Sequence, residues 1–251
     1  MNARVLIGTS GFYYEHWRGV LYPNDLPKSR FFDHYMKHFD TVELNSTFYH
    51  LPRLKTTEHW AERSPPDFRF SLKAYRGITH YRKLEEAGDE LYRFLHLVKP
   101  LKPKLATILF QLPPSLRKDL PLLEDFLAIL PRGYRYTMEF RHESWHDEAV
   151  YALLESANVA FCVNDFGKRE MAPVLTADFA YLRFHGPTGR YGGSYDDATL
   201  RKWAAWIDEK RETLDTVLAY FNNDFGGYAV QNAMRLKELL GYNSQKETED
   251  R

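Results

Sequence analysis

Short apolar segments rich in β-branched residues alternate along the chain with longer segments in which apolar residues follow helical spacing. The predicted strands cover 5–10, 41–47, 69–74, 105–112, 134–140, 159–165, 180–186 and 216–224. The predicted helices cover 30–39, 56–63, 85–98, 120–130, 147–157, 196–211 and 226–241. The helical pattern is clearest in the last segment, where Ala229, Ala233, Leu236 and Leu240 share one face and Gly241 is a stop signal.

Regular alternation of strand and helix is typical of a parallel sheet with right-handed crossovers. A chain of 251 residues is long enough to close such a sheet into a single (β/α)8 TIM barrel, and an open doubly wound sheet is the alternative. The segment 167–177 contains Pro173 and is too short for a full helix, which predicts an abbreviated crossover between strands six and seven. We expect one barrel domain over 1–243 and a polar C-terminal tail over 244–251.

Composition narrows the classes of partner. Thirty-four basic residues balance thirty-four acidic ones, so no global field favours nucleic acid or an anionic membrane, and an anion site must be local. The single cysteine, Cys162, cannot form an internal disulfide, and the amino-terminal sequence lacks a secretion signal. No apolar run approaches the length of a membrane span. We therefore expect a cytoplasmic protein without membrane contact.

Polar residues gather where the predicted strands end, and the active site of a TIM barrel lies at the carboxyl ends of its strands. Residues two apart on a strand share a face, which places four pairs in one direction: Glu43 with Asn45, Glu139 with Arg141, Arg183 with His185, and Asn222 with Asp224. Lys73, Gln111 and Asp165 occupy equivalent late positions on other strands. We expect all of these to face a common mouth, although internal salt bridges, such as one between Glu139 and Arg141, are the structural alternative.

The sequence also predicts an anion pocket, the orientation of the cysteine and the contacts of the segment after the eighth strand. Arg190 lies in the glycine-rich loop after the seventh strand, and Gly226–Gly227 opens the eighth helix, which together predict an anion pocket; ordinary turns are the alternative. Cys162 has the parity opposite to Asp165 and is expected to point into the helix layer. In "YFNND" we expect Asp224 to pair with Arg183 and Asn223 to cap the eighth helix.

The order and spacing of several motifs resemble the YecE-like family, also named domain of unknown function 72. The motifs are "GTSGFYYEHWRG", "LYP", "FDTVELNSTFYHLP", "FRFSLKA", "ITH", "FQLPPS", "EFRHESW", "VND", "YLRFHGP" and "YFNND", and the match runs from about Val5 to Leu240. The resemblance implies a TIM barrel and adds Ser10 and His80 to the candidate ligand-binding residues. Phe12 departs from the family's usual tryptophan, and the family has no established activity.

These observations favour an enzyme, a hydrolase or lyase, that acts on a small anionic or sugar-like ligand. Glu43, Glu139, Asp165 and His185 are the candidate acid/base residues. The candidate substrate-binding residues are Ser10, Asn45, Lys73, His80, Gln111, Arg141, Arg183, Arg190, Asn222 and Asp224. A nucleic-acid-binding protein, a metal-dependent phosphodiesterase and a binder without turnover are the alternatives. No spacing marks a cofactor or metal site, although Glu43, Glu139, Asp165, His185 and Asp224 supply divalent-metal ligand types.

Overall fold

The structure is a computed structural model in which residues 3–165, 173–188 and 191–242 are described. Eight strands follow the predicted pattern: β1 (Arg4–Thr9), β2 (Thr41–Leu44), β3 (Arg69–Lys73), β4 (Leu105–Gln111), β5 (Tyr136–Glu139), β6 (Ala160–Asp165), β7 (Phe179–Phe184) and β8 (Thr216–Phe221). Strands β2, β7 and β8 end two or three residues earlier than predicted. Their last polar residues therefore lie in the loops that follow.

The described part of the chain contains α1 (Phe31–Tyr35), α2 (Ser46–Tyr49), α3 (Leu54–Arg63), α4 (Gly88–Val98), α5 (Leu120–Ala128), α6 (Glu148–Ser156), α7 (Asp197–Lys210) and α8 (Tyr228–Leu239). Helices α5, α6 and α7 each have an aspartate as N-terminal cap: Asp119, Asp147 and Asp196. The carboxylate of each accepts a hydrogen bond from a first-turn amide. Helix α2 and a π-helical turn over Gly77–Tyr81 were not predicted.

The strands form one eight-stranded sheet in the order β1-β8-β7-β6-β5-β4-β3-β2. The pairings β1–β8, β3–β4, β4–β5 and β5–β6 are parallel. This is the (β/α)8 topology of a TIM barrel, as predicted. Most of the link between β6 and β7, residues 166–172, lies outside the described residues, and 173–178 contain no helix. The predicted tail also lies outside them.

The chain divides into two compact units, and the described residues of the first are 3–43, 164–165, 182–188 and 191–242. In this unit β1 pairs with β8 from Arg4 opposite Thr216 to Thr9 opposite Phe221. Helix α8 packs on both strands, and its predicted apolar stripe is buried. Tyr35 of α1 joins the helix layer to β1, since its hydroxyl accepts hydrogen bonds from the amide and hydroxyl of Thr9.

The second unit comprises residues 44–163 and 173–181. Its strands β3, β4 and β5 place Lys73 opposite Leu109 and Gln111 opposite Glu139. On the strand face that carries these polar residues, the hydroxyls of Thr107 and Thr137 lie 3.0 Å apart. Alternate residues such as Phe110 pack on the helices. None of the described helices of the protein is long and apolar enough to cross a membrane.

Candidate functional site

Polar side chains collect at the carboxyl ends of the strands in each unit. In the first unit we define the Glu43 cluster as Ser10, Glu43, Asn164, Arg183, His185 and Asn222. In the second unit we define the Lys73 cluster as Phe48, Lys73, His80, Gln111, Glu139 and Arg141. All of these except Asn164 and Phe48 are predicted site residues. Their convergence on one mouth stays a prediction.

Glu43 is completely buried on β2 and is held by two donors, one directly after β1 and one on β7. Its Oε1 accepts hydrogen bonds from Ser10 Oγ at 2.6 Å and from Arg183 Nη2 at 2.7 Å. Arg183 is itself only 1% exposed, so the charges of this ion pair are removed from water together. Removing one partner of such a pair costs about 3–5 kcal/mol, because the other charge stays buried. Glu43 is therefore a structural ion-pair partner as well as an acid/base candidate.

His185 follows β7 and is completely buried. Its Nε2 lies 3.1 Å from Asn164 Oδ1, and its Nδ1 lies 3.3 Å from Asn222 Nδ2. The amide oxygen of Asn164 can only accept a hydrogen bond, so Nε2 donates to it, and the amide nitrogen of Asn222 donates a hydrogen bond to Nδ1. This arrangement holds one neutral tautomer of the imidazole. Proton transfer by His185 would require at least one of these hydrogen bonds to open.

The expectation that Asp165 faces the functional site is wrong. Its Oδ2 accepts a hydrogen bond of 2.9 Å from the indole nitrogen of Trp203, which lies on α7. Phe161 has the same parity on β6 and packs against Tyr151 of α6, so this face of the strand meets the helices. Asn164 instead reaches His185. Cys162 has the same parity as Asn164, which contradicts the expectation that Cys162 points into the helix layer. The large apolar Phe161 was the signal that could have assigned the faces.

The predicted contacts of "YFNND" after β8 are also wrong. Asp224 binds Trp17 and His16 rather than Arg183, with distances of 2.6 Å to Trp17 Nε1 and 3.0 Å to His16 Nε2. Burial raises the pKa of the Asp224 carboxyl above its usual value, and the donors Trp17 and His16 offset this only in part. The strand ends at Phe221, which turns Asp224 away from the predicted direction.

Asn223 does not cap α8, contrary to prediction. Its amide nitrogen donates to the carbonyl of Gly193 at 2.9 Å and to Asn232 Oδ1 at 2.8 Å. The N-terminal cap of α8 is Gly227, which has no side chain to offer. Asn223 therefore joins the loop after β7 to the middle of α8.

The Lys73 cluster brings two cations to one amide oxygen. Lys73 Nζ donates to Gln111 Oε1 at 2.7 Å, and Arg141 Nη2 lies 3.5 Å from the same oxygen. Arg141 Nη2 also lies 2.5 Å from Oε1 of the completely buried Glu139. The three strands β3, β4 and β5 end at these positions, so parallel pairing alone places their last polar residues side by side. The predicted alternative of an internal ion pair between Glu139 and Arg141 is confirmed.

Helix α2 supplies the apolar floor of the Lys73 cluster. Thr47 Oγ1 donates to the carbonyls of Leu44 at 3.0 Å and Lys73 at 2.7 Å, which joins α2 to β3. Phe48 then lies beneath the ammonium group, with Lys73 Nζ 4.1 Å from the ring centroid. The imidazole of His80 meets the same ring edge to face at 4.8 Å. A cation over an aromatic face is attracted by its quadrupole, so Phe48 helps to position Lys73.

His80 is presented by the π-helical turn over Gly77–Tyr81, and its Nδ1 lies 2.9 Å from Thr79 Oγ1. Burial lowers the pKa of His80 below its usual value, and the positive charges of Lys73, Arg141 and Arg76 lower it further. The electrostatic potential at His80 is therefore positive. A neutral imidazole among cations is suited to hydrogen bonding with an anion.

Asn45 and Arg190 belong to neither cluster. Asn45 follows β2, and its buried Oδ1 makes no hydrogen bond within the described part of the chain. Arg190 lies outside the described residues. Among residues 3–165, 173–188 and 191–242, no group of three or more histidine, cysteine, aspartate or glutamate side chains is placed to hold a metal ion.

The sequence profile of a family described as "Protein of unknown function DUF72" matches residues 6–251. The chain belongs to this family. The predicted YecE-like membership is thereby confirmed. A curated relative, UPF0759 protein YunF of Bacillus subtilis, is 28% identical over 88% of this chain and 90% of its own length. UPF0759 protein YecE of Escherichia coli is 36% identical over 44% of this chain and 41% of its own length.

Solved structures of the family share the fold. A DUF72 family protein of Thermotoga maritima, TM1631, matches with a TM-score of 0.86 and 31% identity, over 95% of this chain and 99% of that one. A second, EF0366 of Enterococcus faecalis, matches with a TM-score of 0.82 and 20% identity, over 95% of this chain and 96% of that one, and shows the fold alone. The α/β TIM-barrel class is confirmed, and neither name carries an activity.

Proposed function

We propose that the protein is an enzyme that acts on a phosphate- or sugar-containing substrate by general acid/base chemistry at the carboxyl ends of its strands. The observation that carries this proposal is the approach of Lys73 and Arg141 to a single oxygen, Gln111 Oε1. Cations held at strand ends are positioned to bind a negative group and to stabilise the charge that develops during reaction.

The Lys73 cluster also contains a group that can move a proton. Glu139 lies directly opposite Gln111 in the register of β4 and β5, and it contacts Arg141, which follows β5. A carboxylate and cations on neighbouring strands support a reaction in which one group binds the anion and another exchanges a proton with it. In this proposal Lys73 and Arg141 bind the substrate, Gln111 orients them, and Glu139 is the acid/base group.

Binding is the first test. We expect Lys73→Met to weaken the affinity for a panel of sugar phosphates and phosphate monoesters at least about tenfold, because one charge-assisted hydrogen bond is lost. The matched control is Lys55→Met, which removes an exposed lysine from α3 and should leave the affinity unchanged. Equal affinities of the two variants in isothermal titration calorimetry would refute the anion site.

Turnover is the second test. Any substrate found in that panel should bind Glu139→Gln but react at least about a hundredfold more slowly, the usual contribution of an acid/base group. Circular dichroism and thermal unfolding establish that the variant is folded. Full activity of Glu139→Gln would remove Glu139 from the reaction while leaving the anion site in place.

A further inference from the structure

His185 and His80 differ in whether their present hydrogen bonds are compatible with a second proton on the imidazole ring. His185 accepts a hydrogen bond from an amide nitrogen, so a second proton on its ring would displace that donor. His80 instead contacts a hydroxyl, Thr79 Oγ1, which can either donate or accept. The contact at Nδ1 therefore survives protonation of His80. Within the described residues Nε2 of His80 makes no other hydrogen bond, so it is available to a ligand.

The charged groups around His80 come from several elements. Lys73 ends β3, Arg141 follows β5, and Arg76 precedes the π-helical turn; Glu139 pairs with Arg141. Among these four groups there is a formal excess of two positive charges. A neutral sugar would leave that excess uncompensated, whereas a doubly charged anion would match it.

Building on the proposed function, we propose that the ligand group of the Lys73 cluster is a phosphoryl dianion. His80 takes up a proton from solvent as the dianion binds and donates a hydrogen bond from Nε2 to one of its oxygens. The proton comes from the buffer, and no covalent bond is made or broken. Lys73 and Arg141 provide the other donors.

Electrostatic linkage makes this proposal measurable. Without a ligand, burial and the surrounding cations lower the pKa of His80, so the ring is neutral at pH 7. A bound dianion offsets this positive charge and raises the pKa of His80. Because coupling is reciprocal, protonation of His80 must strengthen anion binding by the same factor. Affinity should therefore increase as pH falls, about tenfold for each unit by which the dianion raises the pKa of His80.

Isothermal titration calorimetry with sulfate and with inorganic phosphate, in two buffers of different ionisation enthalpy at pH 7, measures the proton uptake. His80→Gln keeps an N–H donor but cannot titrate, and His59→Gln removes an exposed histidine of α3 as the matched control. We expect proton uptake in the wild type and in His59→Gln, and none from sulfate in His80→Gln. Phosphate titrates itself, but its contribution is common to all three proteins, so the difference isolates His80.

The outcomes separate this proposal from the proposed function. If dianion binding requires Lys73 but proton uptake is equal in the wild type and His80→Gln, the role of His80 is overturned and the anion site is retained. Preference for a neutral sugar such as glucose over sulfate and phosphate would overturn the dianion assignment while leaving an enzyme that acts on sugars. Binding of none of these probes, or binding that Lys73→Met does not weaken, would overturn the anion site and everything built on it.

Discussion

A carboxylate buried away from water needs a partner that compensates its lost hydration, and the choice of partner decides its chemistry. Glu43 and Glu139 are both completely buried, and each meets an arginine within its own unit. Asp224, with a side chain 21% exposed, instead contacts an indole and an imidazole. These weaker donors leave burial dominant, which raises the pKa of Asp224.

This difference predicts a pH-dependent effect of Asp224→Asn. The folded-state pKa of Asp224 lies above its unfolded value of 3.8, so the folded protein binds this proton more tightly than the unfolded chain. The carboxyl therefore costs stability as pH rises from 3.8 through the raised pKa. Asparagine keeps an acceptor for Trp17 Nε1 without the charge. We expect a loss of about 0.5–1.5 kcal/mol at low pH, from a weakened hydrogen bond, and a smaller loss at pH 7.

Urea unfolding of Asp224→Asn at several pH values between 4 and 7 measures this trend. Asp25→Asn, which changes an exposed aspartate in a turn, is the control and should show no such trend. A loss for Asp224→Asn that grows toward neutral pH would mean that the contacts with His16 and Trp17 outweigh burial.

Helix α8 begins directly after two glycines whose backbone is in the left-handed conformation. Gly226 and Gly227 have φ values of 73° and 77°, in the left-handed region that favours glycine. Helix α8 starts at Tyr228, immediately after them, and buries Ala229, Ala233 and Leu236 on the side that packs on β1 and β8. Gly241, with φ of 78°, ends the helix in the same way.

Alanine at the two ends of α8 should therefore have unequal effects. Gly241→Ala places a Cβ in open space, and we expect only the conformational cost of about 1–2 kcal/mol. Gly227→Ala carries the same cost, and its Cβ would also lie 3.1 Å from Val20 Cγ1. We expect Gly227→Ala to lose at least about 1 kcal/mol more, the lower end for overpacking. Chemical denaturation measures both, and equal losses would show that Val20 moves aside freely.

Local periodicity explains which elements the sequence predicts and which it does not. All eight strands and the longer helices carry a regular apolar pattern, whereas α2 and the π-helical turn are each shorter than two helical turns and carry none. The face of β6 was misassigned because Asp165 and Asn164 are both polar and adjacent at the strand end. Their partners, Trp203 and His185, come from later elements, and only tertiary structure distinguishes them.

Across the whole molecule, the sequence predicts which residues belong to the candidate site better than it predicts which of those residues contact each other. Parallel strands must end together, so residues such as Lys73, Gln111 and Arg141 could be grouped from position alone. Which cation meets which carboxylate depends on side-chain geometry across strands. Arg183 meets Glu43 rather than Asp224 for that reason.

Net charge gives the last prediction, which concerns nucleic acid. Equal numbers of acidic and basic residues provide no general attraction for a polyanion, whereas the cations of the Lys73 cluster act over one small site. We expect no binding of a fluorescently labelled DNA duplex at about 200 mM salt, and at most weak binding at about 50 mM, where counterion release favours association. Fluorescence anisotropy measures both, with sulfate titrated in parallel as the small anion. Duplex binding that persists at the higher salt, and that Lys73→Met abolishes, would favour a nucleic-acid substrate over a small phosphorylated one.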